Sequence, residues 1–341
     1  MITKLEKKQL TVFALVAYAL PFLLGIYMWY GSGRDYDLSV FPSAQMFYPA
    51  AGAILALLVT RKEDAQIPRR FFWGFIVFTA VMVLTCAASM LYPDAQWALF
   101  SQLPILAASI IGWVLLLTEK KDKRAAYGLR FKNVKASVLC ILLFVALYFL
   151  RFVISIALSG ELSYILEVFS SPNTWALLAA LLPNFFLVFI AFFGEEYGWR
   201  YFLQPMLQKR FGMRWGVIIL GVVWGLWHLP IDFFYYAEGY GIQAALSQQI
   251  TCISLGIFFA YAYLKTENIW VPVILHMLNN NLIPLITQNY AADVLENQVI
   301  GWDSLLPSLL INGLLFCPFL LSKVFRAKKP EPETAETLSA E

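Results

Sequence analysis

Stretches of about twenty apolar residues recur from one end of the chain to the other, at roughly 11–30, 44–60, 71–92, 95–118, 137–158, 174–207, 216–235, 246–264, 268–288 and 305–322. Each is as long as a helix needs to be to cross a hydrocarbon core of about 30 Å. A backbone in lipid must satisfy its own N–H and C=O groups, so repeated runs of this length point to helices packed side by side. The fold class expected is all-α, a polytopic membrane helix bundle of about 8–10 transmembrane helices, with ten crossings as the working count. The composition agrees: 60% of the 341 residues are hydrophobic and only 14% charged, too little polar surface to coat soluble domains.

The basic residues give the bundle an orientation, because Lys and Arg in short loops mark the cytoplasmic side. Arg61, Lys62, Arg69 and Arg70 fall in one loop, seven Lys and Arg in 119–136, and others in 208–215, at Lys265 and in 323–329. The alternate loops at 93–94, 159–173, 236–245 and 289–304 have none, and 31–38 has Arg34 beside Asp35 and Asp37. Both termini are therefore expected in the cytoplasm, in a multi-pass protein of the cell membrane. The first helix follows Lys4, Lys7 and Lys8 without a small-residue cleavage site and is read as a retained span. Pro183 and Asn184 suggest a break in the long 174–207 run, giving a short re-entrant piece before a helix near 185–208. The acidic end from Pro330 reads as a disordered tail.

A net charge of +3 offers no broad electropositive face, which excludes nucleic acid as a partner. Cys86, Cys140, Cys252 and Cys317 each lie inside an apolar run, with no spacing that suits a disulfide framework or a zinc knuckle.

Ionisable side chains at bilayer depth cost about 2.5–3.5 kcal/mol each on insertion scales, so those that occur are functional candidates. Three sets stand out: Gly194-Glu195-Glu196-Tyr197-Gly198-Trp199-Arg200, Trp224 through His228, and His276 through Asn280. Both of the chain's histidines are among them. Residues four apart share a helix face, which pairs Glu196 with Arg200 and His276 with Asn280 and leaves Glu195 to face another neighbour or a cleft. Counted from the basic ends of their helices, the three sets lie at similar depths near the midplane, about 15–20 Å in at 1.5 Å per residue. A carboxylate and an imidazole sharing a water can take its proton and return one to a leaving amine. A second imidazole and an amide can stabilise the oxyanion. Trp224, Trp227, Phe192 and Phe193 read as packing or lipid contacts, and Arg151 as a residue paired with a carboxylate or carbonyl. The chain contains no His-Glu-x-x-His zinc helix, Gly-x-Ser-Gly nucleophile element or phosphate-binding Gly-rich loop.

In these motifs the chain resembles the family of CAAX prenyl endopeptidases and bacteriocin-processing enzymes, intramembrane proteases marked by Glu-Glu-x-x-x-Arg, Phe-x-x-x-His and His-x-x-x-Asn. Trp224 stands where the second motif has Phe, a change read as one of pocket shape and not of chemistry. Tyr201 replaces a common Gly and is read as narrowing access. The resemblance implies that Glu195 and His228 activate the attacking water, that His276 and Asn280 form the oxyanion site, and that Glu196 and Arg200 support the first helix. The implied organisation is 1–119 as helices outside the match, 120–290 as the catalytic core, 291–322 as a final transmembrane segment and 323–341 as a cytoplasmic tail. The implied activity is cleavage of a membrane-associated protein or peptide, near the cytoplasmic half of the bilayer. Asn280 suits oxyanion donation better than zinc ligation, which favours a metal-free site; with zinc the ligands would be Glu195, His228 and His276. A silent scaffold that binds membrane proteins and a proton-coupled transporter are the alternative functions.

Overall fold

The computed structural model describes residues 3–291 and 294–326. It is helical throughout, with no β-strand among the described residues. Among the described residues eight helices are long and apolar enough to cross a membrane: α1 (Lys4–Ser32), α2 (Val40–Thr60), α3 (Arg69–Leu91), α4 (Trp97–Leu117), α5 (Val134–Ser159), α6 (Pro172–Phe211), α8 (Gly241–Thr266) and α10 (Trp302–Leu321). A ninth candidate is a bent pair in which α7 (Met213–Trp227) turns by 40° into Leu229–Tyr236. A further helix, α9 (Trp270–Asn281), is only 12 residues long and is followed by a separate turn at Ile283–Thr287. The expected tenth crossing at 268–288 is therefore not a full-length span. Pro284 has no N–H to continue the ladder, and the chain breaks at Leu282.

Proline has the opposite outcome in α6. The expected break at Pro183 does not occur, for the α-helix runs unbroken from Pro172 to Glu196. A π-helical stretch at Tyr197–Leu203 then leads into Gln204–Phe211, making 40 residues in all. Neighbouring helices can cover the carbonyl that a proline orphans. The adjacent Asn184 is itself tied to α9, its Nδ2 donating to Asn281 Oδ1 at 2.8 Å.

α2 is the most enclosed span, 72% of its apolar window being buried. It seats against α6 where α6 offers glycine. A Cβ on Gly194 would lie 2.3 Å from the Met46 carbonyl oxygen, and one on Gly198 would lie 2.4 Å from Pro49. Two glycines four apart allow the backbones to touch, and with no Cβ between them the helices approach as small-residue interfaces in membranes do. On another side of α6, Phe193 stacks on Tyr197 at 4.9 Å and Tyr197 on Tyr201 at 4.5 Å. Trp270 closes over Phe193 at 5.8 Å and over Trp113 of α4 at 5.5 Å. The helix bearing the two glutamates is thus fixed by α2, α4 and α9 together.

The described part of the C-terminal tail ends in a turn at Lys323–Phe325 with Phe325 buried. The expected acidic tail from Pro330 lies outside the described residues.

Candidate active site

Glu195 and Glu196 are buried near the C-terminal end of the α-helical part of α6, and because neighbours on a helix point about 100° apart they face different partners. Glu196 Oε2 accepts from Arg200 Nε at 2.9 Å, the i,i+4 pair that the spacing predicts. Its Oε1 lies 2.9 Å from His276 Nδ1. Arg200 is fully buried, and its two terminal nitrogens have no hydrogen-bond partner among the described residues. The guanidinium instead lies 5.0 Å from the Trp224 ring centroid and 5.6 Å from that of Phe259, within reach of cation–π attraction. Removing one member would strand a charge in a dry place, so the pair reads as a support for the helix.

Glu195 is held by tryptophans. Its Oε2 accepts from Trp224 Nε1 at 2.8 Å and from Trp199 Nε1 at 3.4 Å. This corrects the reading of Trp224 as packing or lipid contact, and with it the view that Trp for Phe leaves the chemistry unchanged: a phenyl ring has no N–H to offer. With Oε2 so engaged, Oε1 is the oxygen turned to the second imidazole, 3.9 Å from His276 Nε2.

His228 sits at the break in α7. Pro230, two residues on, removes a donor from the helix ladder, and the chain bends there. His228 Nδ1 lies 2.8 Å from the Trp224 carbonyl oxygen, an atom that only accepts, so Nδ1 carries the proton. Nε2 is left with its lone pair. Gln45 of α2 secures the same turn by donating to the Trp227 carbonyl at 2.9 Å. Asn280 Oδ1 accepts from Asn279 Nδ2 at 3.0 Å, which leaves its own amide nitrogen to donate.

These side chains share one cavity of about 720 Å³, whose wall includes Glu195, His228, His276 and Asn280. All four expected catalytic residues are thus brought to one space, and the proposition that Glu195 lies close to an imidazole is met at His276. Glu196 and Arg200 are not on its wall. Tyr201 is not there either: its ring packs against Gly128, far down α6, so the expectation that it narrows access is not met.

Two wall residues were not among the expected site residues. Asp232, one turn after His228, is 1% exposed, and neither carboxylate oxygen has a hydrogen-bond partner among the described residues. The i,i+4 spacing from His228 is the signal that could have found it. Arg151 of α5 also lines the wall, with Nη1 3.4 Å from Asn312 Oδ1 and its guanidinium 4.6 Å from the Tyr148 ring. Its partner is an amide oxygen from the last helix, 161 residues away. Among the described residues no three His, Cys, Asp or Glu side chains gather closely enough to hold a metal ion. Glu195, His228 and His276 share the cavity without forming a ligand set.

A multi-pass helical membrane protein with a carboxylate, two imidazoles and an amide around one internal cavity has the equipment of a membrane hydrolase. Residues 174–282 match the profile of the family described as type II CAAX prenyl endopeptidase Rce1-like. Over 248 residues the chain is 24% identical to CAAX prenyl protease 2 of Methanococcus maripaludis, an alignment that spans 68% of this chain and 90% of the relative. Over that matched segment the chain is similar to the type II CAAX prenyl endopeptidases. Proteases of this family act on membrane-associated protein substrates.

Proposed function

We propose that the chain is an intramembrane endopeptidase that hydrolyses a peptide bond by means of a water activated between Glu195 and His228. The observation that carries the reading is the sharing of hydrogen-bond duties. The tryptophans engage one oxygen of Glu195, the Trp224 carbonyl engages one nitrogen of His228, and each residue keeps one basic atom for a water in the cavity. The pair takes the water's proton as hydroxide attacks the carbonyl carbon, and returns a proton to the amine as the C–N bond breaks.

Asn280 Nδ2 and His276 Nε2 donate to the oxyanion. Because His276 Nδ1 is directed at Glu196, donation from Nε2 requires the doubly protonated ring. With Glu195, Glu196 and Arg200 ionised, that imidazolium brings the formal charge of the cluster to zero, the least costly arrangement for a buried group of charges. Glu196 and Arg200 act by positioning His276 and the helix.

The substrate is a membrane-associated protein or peptide, processed at a CAAX-type tail by likeness to the archaeal relative, or at a leader or bacteriocin-type precursor. The enzyme resides in the cell membrane with both termini in the cytoplasm, as the basic loops indicate. We assign the chemistry without a metal, on the donor set alone: amide donation is the natural role of Asn280, and the two imidazoles and Glu195 do not form a compact triad.

The test is cleavage of candidate tail and leader peptides by purified protein in liposomes. Wild type is expected to turn over one of them and Glu195→Ala none, and turnover is expected to survive chelation without zinc add-back. Equal turnover by wild type and Glu195→Ala would overturn the assignment, and loss on chelation with rescue by zinc would overturn its metal-free form. Survival of the cellular phenotype in a Glu195→Ala, His228→Ala strain would favour the scaffold.

A further inference from the structure

Arg151 is the single Lys or Arg on the cavity wall among the described residues, and it takes no part in the proposed hydrolysis. The described wall also carries two carboxylates, Glu195 and Asp232, yet Arg151 forms an ion pair with neither, nor with any other acid among the described residues. Its contacts are with neutral groups: Nη1 donates to Asn312 Oδ1 at 3.4 Å, and the guanidinium lies 4.6 Å from the Tyr148 ring. A cation at bilayer depth is expensive and is ordinarily kept where it meets an opposite charge.

The guanidinium is held as if to meet one. Asn312 is buried in α10, and its Nδ2 donates to the Ser308 carbonyl at 2.8 Å and to Ser308 Oγ at 3.3 Å, which fixes the amide with Oδ1 toward Arg151. Tyr148, one turn before Arg151 on α5, is fully buried, with its hydroxyl 3.5 Å from the Asn279 carbonyl oxygen. Asn280, the proposed oxyanion donor, is the next residue. One tyrosine side chain thus separates the guanidinium from the oxyanion site, a gap that a few extended residues cover at about 3.3–3.6 Å each.

We infer that Arg151 binds the C-terminal α-carboxylate of the substrate, so that the enzyme cuts within a few residues of a free chain end. The inference rests on the proposed proteolytic reading for the bond that is cut, and it selects the tail-type substrate over the leader or precursor, whose scissile bond is internal. A guanidinium presents parallel N–H donors that match the two oxygens of a carboxylate, and one positive charge balances one negative. Every polypeptide tail carries that carboxylate, whatever its side chains. Arg151 and Asn312 both lie outside residues 174–282, so the subsite is not part of the matched profile.

Binding reads this specificity-determining residue without any need for catalysis. A dye-labelled S-farnesyl peptide ending in Cys-Val-Ile-Ser is titrated, as free acid and as C-terminal amide, onto the liposome-reconstituted Glu195→Ala chain, alone and combined with Arg151→Gln or Arg151→Lys. With Arg151 in place the acid is expected to bind about 10- to 150-fold more tightly than the amide, the range for a hydrogen bond to a charged group. Arg151→Gln is expected to bring the acid down to the level of the amide without moving the amide, and Arg151→Lys to keep part of the difference. Equal binding of acid and amide with Arg151 in place, a comparison that needs no change at 151, overturns the inference; so does failure of both to bind, or an equal loss of both in Arg151→Gln. Liposomes of phosphatidic acid in place of phosphatidylcholine that abolish the difference would assign the guanidinium to a lipid phosphate and overturn it as well. Turnover by the chain with Glu195 intact is a separate outcome: acid-selective binding without hydrolysis keeps the anchor and removes the protease reading, and hydrolysis of both forms with one KM does the reverse.

Discussion

An indole ring has one hydrogen-bond donor, and at position 224 it is directed at Glu195. A hydrogen bond to a charged group contributes about 1.5–3 kcal/mol, which corresponds to a rate effect of roughly 10- to 150-fold if it is realised in the transition state. Trp224→Phe, which restores the residue of the family motif, is therefore expected to lower kcat/KM by that order with the fold retained. Steady-state peptide turnover beside a thermal melt checks it, and unchanged turnover would show the bond to be idle. At position 232 the carboxylate is buried without a hydrogen-bond partner among the described residues, an arrangement that costs free energy in the substrate-free protein. Asp232→Asn is expected to raise the thermal midpoint in detergent, by an amount worth about 1–3 kcal/mol. A lower midpoint would mean that the carboxylate is satisfied by something it must keep. Residue-level legibility was uneven for a physical reason. Glu196–Arg200 is a local pair whose geometry follows from helical spacing, whereas Trp224 meets Glu195 across 29 residues and two helices, a contact no local periodicity reveals.

Among the elements, the contact between α2 and α6 carries the sharpest steric condition. Gly198→Ala puts a methyl group 2.4 Å from Pro49, on backbone as well as ring atoms, where no side-chain rotation relieves it. Overpacking of this kind costs about 1–3 kcal/mol, and here it also shifts the helix that carries Glu195. The expected result is a lower melting midpoint together with lost turnover; Gly313→Ala in α10, where a Cβ meets nothing within 4 Å, is the matched control. A polar latch joins two loops on the basic side: Tyr127 donates its hydroxyl proton to Asp64 Oδ2 at 2.6 Å. That bond, with a second from the Gln66 N–H, holds the Asp64 carboxyl below its ordinary range. A depressed carboxylate contributes stability that is complete above its unfolded value and is lost as pH falls through the folded one. Asp64→Asn is expected to flatten the acid limb of stability between about pH 4 and the lower folded value, leaving neutral pH little changed. Melts from pH 7 to pH 3 measure it, and an identical acid limb in the variant would contradict it. The helices themselves were readable because each is an uninterrupted apolar run. Proline was the exception. Pro183 is accommodated inside α6, Pro230 coincides with a bend and Pro284 with a stop, and which outcome holds depends on neighbours that the sequence does not list in order.

At the scale of the whole molecule, the helical class and the three polar sets were legible, because charge at membrane depth is rare and therefore conspicuous. The number of full-length spans was not. A short helix such as α9 and a bent pair such as α7 with its continuation have the same composition as a crossing, and differ from one only in where the chain turns. The part played by the N-terminal helices was also hidden. Gln45 holds the turn that carries His228, and α2 and α4 supply wall residues, all from outside the matched segment. In the proposed mechanism Glu195 and His228 act as one device on one water, and groups that act as a unit are grossly non-additive when removed. Single-turnover cleavage by liposome-reconstituted wild type, Glu195→Gln, His228→Ala and the double variant measures this directly. The double variant is expected to be no slower than the worse single one; losses that multiply would mean that the two residues act independently and that no shared water lies between them.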